Sequence, residues 1–149
     1  MAHQATSTLA AVNMWFLNTQ TLELECFTSL LSPVSGESLR YAILSHRWGV
    51  EEVLFEDARH GADQLRACRK QGLAKVLRSA EVARQNGYAY IWIDSCCIDK
   101  SSSAELSEAI NSMFEWYGRS AVYYAFLADY KAGKGSLGAS DWFRRGWTL

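Results

Sequence analysis

Three short apolar runs in this chain stop abruptly at polar residues. Tyr41-Ala42-Ile43-Leu44 leads into Ser45-His46-Arg47-Trp48-Gly49, Tyr90-Ile91-Trp92-Ile93 into Asp94, and Val122-Tyr123-Tyr124-Ala125-Phe126-Leu127 toward Asp129. Near-continuous hydrophobicity over this length is the pattern of strands covered on both faces, predicted over 41–45, 88–94 and 121–127. Between the runs the period changes. Leu65, Cys68, Leu73, Val76, Leu77, Ala80 and Ala83 recur mostly at three- and four-residue steps. That predicts a long helix over 62–86, split or kinked at Gly72 and stopped by Asn86-Gly87. A second helix starts within Ser101 to Ser103, where Ser102-Ser103-Ala104-Glu105 has capping-box spacing. Its core stripe reads Leu106, Ile110, Met113, Phe114 and Tyr117, and Gly118 ends it. Met14 to Leu17 predicts a short first strand, with Leu22, Leu24 and Phe27 as an amphipathic continuation. The only proline, Pro33, marks a turn over 32–37, and a short helix is expected around Leu54 and Phe55. Residues 131–139 are glycine-rich and read as flexible. Strand, helix, strand, helix, strand implies parallel pairing through right-handed crossovers. The expectation is an α/β chain, a small three-layer flavodoxin-like fold with a mainly parallel central sheet, preceded by a flexible leader over 1–13.

Composition narrows the classes. A chain of 149 residues is one domain with room for a core, and 49% hydrophobic against 21% charged is ordinary for a soluble protein. Net charge is −1, which gives no electrostatic case for nucleic acid. No apolar run approaches the ~20 residues of a membrane span, and the start lacks a basic, then apolar, secretory signal. A cytoplasmic location is therefore expected. The six tryptophans suggest a core or cleft with aromatic walls. Cys26, Cys68, Cys96 and Cys97 include no Cys-x-x-Cys pair and read as reduced, buried thiols. With only His3, His46 and His60 beside them, no metal site is expected.

In open α/β sheets, sites form beyond the carboxyl ends of the strands. Three matching strand ends would bring His46, Asp94 and Asp129 to one edge. Ser45 to Gly49 then reads in two ways. It is a ligand loop, with an imidazole and a guanidinium facing substrate and Trp48 as a stacking wall, or a polar turn with His46 on backbone and Trp48 in the core. Asp94 either orients a base or accepts from a ribose hydroxyl, or else caps the next segment or pairs with Arg47. Asp99 reads as an Asx-turn residue and the two adjacent cysteines as packing. Glu105 fits the capping box. Glu108 falls opposite the helix stripe, either as a plain surface glutamate or as a carboxylate facing a cleft. Gly133-Lys134-Gly135-Ser136 fails the phosphate-loop spacing and reads as a linker. Arg144 and Arg145 are too few to make an anion-binding patch.

Taken in order, five blocks resemble the heterokaryon incompatibility (HET) domain of filamentous fungi. They are Tyr41 to Gly49, Phe55-Glu56-Asp57, Tyr90 to Lys100, Ser101 to Phe114, and Trp142-Phe143-Arg144-Arg145-Gly146-Trp147-Thr148-Leu149. Met14-Trp15-Phe16-Leu17-Asn18 approximates the family's opening strand, so the resemblance covers residues 14–149. The family pattern runs on past this C-terminus, and the domain is expected to be truncated there. The resemblance implies a role in fungal non-self recognition and regulated cell death, and a TIR-like fold. Some TIR domains cleave NAD at the nicotinamide–ribose bond with a helix-borne glutamate. Carried over, the implied catalytic carboxylate is Glu108. Ser45, His46, Arg47, Trp48 and Asp94 would then bind substrate, with NAD as substrate rather than a resident cofactor. Two functions stay open: this enzyme, or a non-enzymatic module that associates with itself or with other HET and innate-immunity-like signalling proteins.

Overall fold

The computed structural model describes residues 13–32 and 34–144. The rest, including nearly all of the expected leader and the Arg145 to Leu149 block, lies outside the described residues. In chain order these form β1 (Met14–Asn18), β2 (Leu24–Phe27), β3 (Tyr41–His46), α1 (Phe55–Ala58), α2 (Ala62–Ala67), α3 (Leu73–Gln85), β4 (Tyr90–Trp92), α4 (Ser103–Arg119) and β5 (Val122–Phe126). The helix expected over 62–86 is divided, with Cys68 extended at the end of α2 and Gly72 leading into α3. Two single 3₁₀ turns, Leu137–Ala139 and Asp141–Arg144, follow β5.

The strands form one sheet in the order β2-β1-β4-β3-β5. β3 pairs parallel with both of its neighbours, whereas β1 pairs antiparallel with both of its own. The sheet is mixed, which corrects the expectation of a mainly parallel one. The cause is local. The amphipathic stretch after β1 is itself a strand, folded back through a tight turn in which Leu22 takes φ of 62°. Asn18 organises that turn, its Oδ1 accepting from the amides of Gln20 and Thr21 at 2.9 and 3.0 Å. A side-chain acceptor two residues back is an Asx-type turn, and the residues it bridges carry no glycine signal.

The two long helices cover opposite faces. Tyr41, Ile43 and Trp92 look toward α4: the Tyr41 hydroxyl donates to the Trp116 carbonyl at 2.7 Å, and Trp92 meets the Trp116 ring edge-on at 5.6 Å. Tyr124 and Phe126, on the other face, look toward α3. The Tyr124 hydroxyl accepts from Asn86 at 2.9 Å, and Lys75 lies 5.5 Å above the Phe126 ring. All six residues of β3 are buried, as its apolar run requires of a central strand covered on both sides. Burying Trp92 completely, at 0% exposure, contributes on the order of 2–3 kcal/mol.

α4 begins where its serines indicate, Ser102 accepting from the Glu105 amide at 3.3 Å. It runs through Gly118 to Arg119. Its buried face differs from the expected stripe. Ala109 and Trp116 are buried, while Ile110 and Phe114 are 61% and 92% exposed. Chain periodicity weighted the large apolar residues and passed over an alanine, so the stripe is rotated about the helix axis. The thiols need a correction too. All four are free, but Cys26 is exposed and Cys68 only half-buried, leaving Cys96 and Cys97 as the buried pair.

Candidate functional site

Successive side chains of a strand leave on opposite faces, and this alternation divides the segment that ends β3. Ser45 and Arg47 go one way, toward the chain that follows β5. Ser45 Oγ accepts the Trp142 indole N–H at 3.1 Å, and Arg47 Nη1 donates to Asp141 Oδ2 at 2.8 Å. His46 and Trp48 go the other way, toward the end of β4. His46 Nε2 lies 2.6 Å from Asp94 Oδ1, and Trp48 Nε1–H is shared between Asp94 Oδ1 and Oδ2 at 3.2 and 3.1 Å. One aspartate thus gathers both side chains of the His46–Trp48 arm. Arg47, one of the partners open to Asp94, pairs with Asp141 instead.

The His46–Asp94 arm is the drier one. His46 is 2% exposed and Asp94 half-buried, with 18% of its side-chain surface accessible. Burial alone would push the Asp94 carboxyl up. Hydrogen bonds from His46 and Trp48, the His46 charge and the nearby Lys100 ammonium outweigh it, and the group sits below its ordinary value. An ionised Asp94 accepts from the Nε2–H of His46 and sets the ring's orientation. Lys100 closes the arm from above. Its Nζ donates to the Asp94 and Ser95 carbonyls at 2.5 and 3.2 Å and lies 4.9 Å over the Trp48 ring. Desolvation lowers the Lys100 pKa, against the raising pull of Asp94, Cys96 and Cys97. Trp48 is 42% exposed, so its indole is anchored at one edge and open to solvent at the other.

The Ser45–Arg47 arm is wetter and acidic. Asp129 accepts from Ser140 Oγ at 2.6 Å and from the Asp141 amide at 2.7 Å, bonds that hold its carboxyl below the ordinary value. These residues, with Arg47, Phe126, Ala128 and Trp142, line a cavity of about 120 Å³. Both arms open at the carboxyl ends of β4, β3 and β5, where adjacent parallel strands send their crossovers in opposite directions. That is the position at which such sheets bind ligands.

His46, Asp94 and Asp129 therefore do reach one edge, Asp129 through Ser140 and Asp141. Ser45 is 2% exposed, a buried acceptor beneath the loop. Glu108 stands on α4, half-buried rather than turned fully to solvent, its Oε1 accepting from Ser112 Oγ at 2.9 Å. The rotation of the α4 stripe explains this, since it moves Glu108 from opposite the core to its flank. Among the described residues, no recorded hydrogen bond or ion pair joins Glu108 to the His46–Asp94 arm. Half of the expected box forms, Ser102 Oγ accepting from the Glu105 amide, while the Glu105 carboxylate accepts from the Asp99 amide at 3.2 Å. Asp99 is the Asx residue expected, accepting from the Ser101 amide at 3.0 Å. Cys96 and Cys97 lie in the turn after β4 and are packing residues, both buried.

Sequence reasoning missed Lys100, Trp142, and a pair behind the loop, Glu52 and Lys75. Lys100 carried a signal: six residues past a strand-end aspartate, its reach returns it to that strand end. A charged pair 23 residues apart carried none.

The model of the family described as heterokaryon incompatibility protein (HET) matches residues 41–140, a span that contains the His46–Asp94 arm and, of the other arm, Ser45, Arg47, Asp129 and Ser140. Among curated proteins the chain is similar to the vegetative incompatibility protein HET-E-1 of Podospora anserina, 43% identical over 127 residues, which is 77% of this chain and 9% of that protein. The chain thus spans under a tenth of the relative's length. No solved structure gives a significant match.

Proposed function

The chain belongs to the heterokaryon incompatibility (HET) family, and on that premise we propose that it is a domain of fungal non-self recognition promoting regulated cell death, with cleavage of NAD at the nicotinamide–ribose bond as its chemistry. The observation that carries this reading is the gathering of His46 and Trp48 on Asp94, beside Arg47 and an acid-lined cavity, at the carboxyl ends of three parallel strands. The order β4-β3-β5, with α3 and α4 on opposite faces, supports a flavodoxin-like, TIR-like reading of this parallel half.

In this reading the solvent-exposed part of Trp48 packs against a ring of the dinucleotide and Arg47 meets phosphate. The acidic side chains of Asp129 and Asp141 beside the cavity favour the cationic nicotinamide ring. Asp94 holds His46 and Trp48 in place and forms the floor of the site. Glu108 is the catalytic carboxylate: held beside the ribose, it stabilises the oxocarbenium-like charge that develops as nicotinamide leaves. The chemistry uses water as the acceptor and no resident cofactor. The test is nicotinamide release from NAD by concentrated or artificially clustered protein, with Glu108→Ala alongside. The expected result is release by the parent chain and a loss of about 100-fold or more in a folded variant. Undiminished release from Glu108→Ala removes that residue from the mechanism.

A second reading has its own observation. Ile110 and Phe114, one helical turn apart on α4, are exposed apolar side chains, a feature of association surfaces. A non-enzymatic module would self-associate and signal without turnover. In that case no nicotinamide appears, and Phe114→Ser lowers the assembled fraction.

A further inference from the structure

Behind the Trp48 loop lies an ion pair that the proposed chemistry does not use. Glu52 and Lys75 meet at 2.5 Å with side-chain exposures of 3% and 8%. Burying two ions is costly, and apolar residues of similar volume commonly serve stability as well or better. The charges therefore call for a second role, and their contacts supply one. The same oxygen, Glu52 Oε1, also accepts the backbone N–H of Gly49 at 2.6 Å. Gly49 directly follows Trp48. The carboxylate thus ties α3 to the backbone of the loop that carries the indole. Lys75 in turn lies over the ring of Phe126, which stands opposite His46 in the β3–β5 register. The approach of α3 is itself built closely. A side chain at Gly72 would come within 2.8 Å of the Glu51 carbonyl oxygen and 3.1 Å of Glu52 Oε2, and the Gly72 amide donates to that Glu51 carbonyl at 2.8 Å.

We propose that Glu52 is a positioning residue and Lys75 the counter-charge that lets its carboxylate be buried: through the Gly49 amide Glu52 holds Trp48 against Asp94, so that the exposed part of the indole is presented at a fixed place over the site. Only the activity arm of the test rests on the NAD reading above. The structural arm stands without it.

Two neutral variants separate positioning from stability. Glu52→Gln with Lys75→Met keeps an oxygen acceptor for Gly49, and Glu52→Leu with Lys75→Met removes it. Both delete the ion pair. The readout is the Trp48 indole N–H resonance in uniformly ¹⁵N-labelled protein, assigned by its loss in Trp48→Phe. The Gln/Met variant is expected to keep the resonance at its parent position and to retain nicotinamide release. In the Leu/Met variant the resonance moves or broadens, and release falls by about tenfold or more, as misplacement of a substrate-contacting group would cause. An unmoved resonance in the folded Leu/Met variant, or the same displacement in both variants, overturns the proposal. Should the Leu/Met variant fail to fold, hydrogen exchange of the Gly49 amide in the parent protein decides: protection supports the tie, and exchange at the rate of a free loop amide overturns it. A resonance that responds as expected in a protein releasing no nicotinamide upholds the positioning role of Glu52 and removes the NAD reading.

Discussion

The two arms of the Ser45–Trp48 segment come from alternate residues of one strand end, yet they are built differently. In one, a buried imidazole and a half-exposed indole converge on a single carboxylate with a lysine above them. In the other, a guanidinium with 62% of its side-chain surface accessible pairs with an aspartate that is 46% accessible. The comparison teaches that burial decides which contacts fix geometry. Around Asp94 water has little access, least of all to His46, so positions there follow mainly from the partners. Around Arg47 solvent competes with each contact, and the pair adjusts.

The sharpest way to break this contrast is at its centre. Asp94→Ala removes the acceptor that the buried His46 ring and the Trp48 N–H share, with an expected loss of about 1–3 kcal/mol in urea denaturation. Nicotinamide release should disappear with it. The same carboxylate gives the pH dependence. Its folded pKa is depressed, so its contribution is complete above the ordinary Asp value near 4 and is lost as pH falls through the lower folded value. Acid unfolding curves of the parent and of Asp94→Asn should therefore converge at the lowest pH. Ser45→Ala comes next. It deprives the buried Trp142 N–H of an acceptor, for an expected cost of about 1 kcal/mol by the same measurement. Arg47→Ala is the smallest, under about 1 kcal/mol and shrinking further with added salt. A loss at Arg47 that matches the loss at Asp94 and ignores salt would erase the distinction between the arms.

Much of this arrangement was legible in the chain. The apolar runs that become β3, β4 and β5 stop at polar residues because a buried strand must end where backbone meets solvent, and that is why His46, Asp94 and Asp129 share an edge. The serines ahead of α4 were readable because a cap is a local interaction. What escaped reading was of longer range or smaller in size. Leu24 to Phe27 is a strand only because Asn18 turns the chain back, and nothing in its own four residues excludes a helix. Ala109 lies on the buried face of α4, where a pattern weighted toward large apolar side chains does not look. Arg47 chose Asp141 over Asp94, 94 residues distant in sequence, because strand alternation sends it to the other side. Glu52 and Lys75 are ordinary charged residues until the fold closes over them.

The reversed strand β1 has a consequence for how the molecule comes to exist. β1 lies inside the sheet, joined on one side to β2 and on the other to β4, where Leu17 faces Ile91. Its first neighbour is complete within a few residues of synthesis, and the second is translated more than seventy residues later. At roughly 5–20 residues per second the β1–β2 hairpin waits for several seconds with one backbone edge unpaired and Leu17 without its β4 neighbour. Local pairing and final burial are thus separated in time. The span from β1 to β4 is the interval in which a chaperone, or another nascent copy, meets this hairpin before its own sheet does.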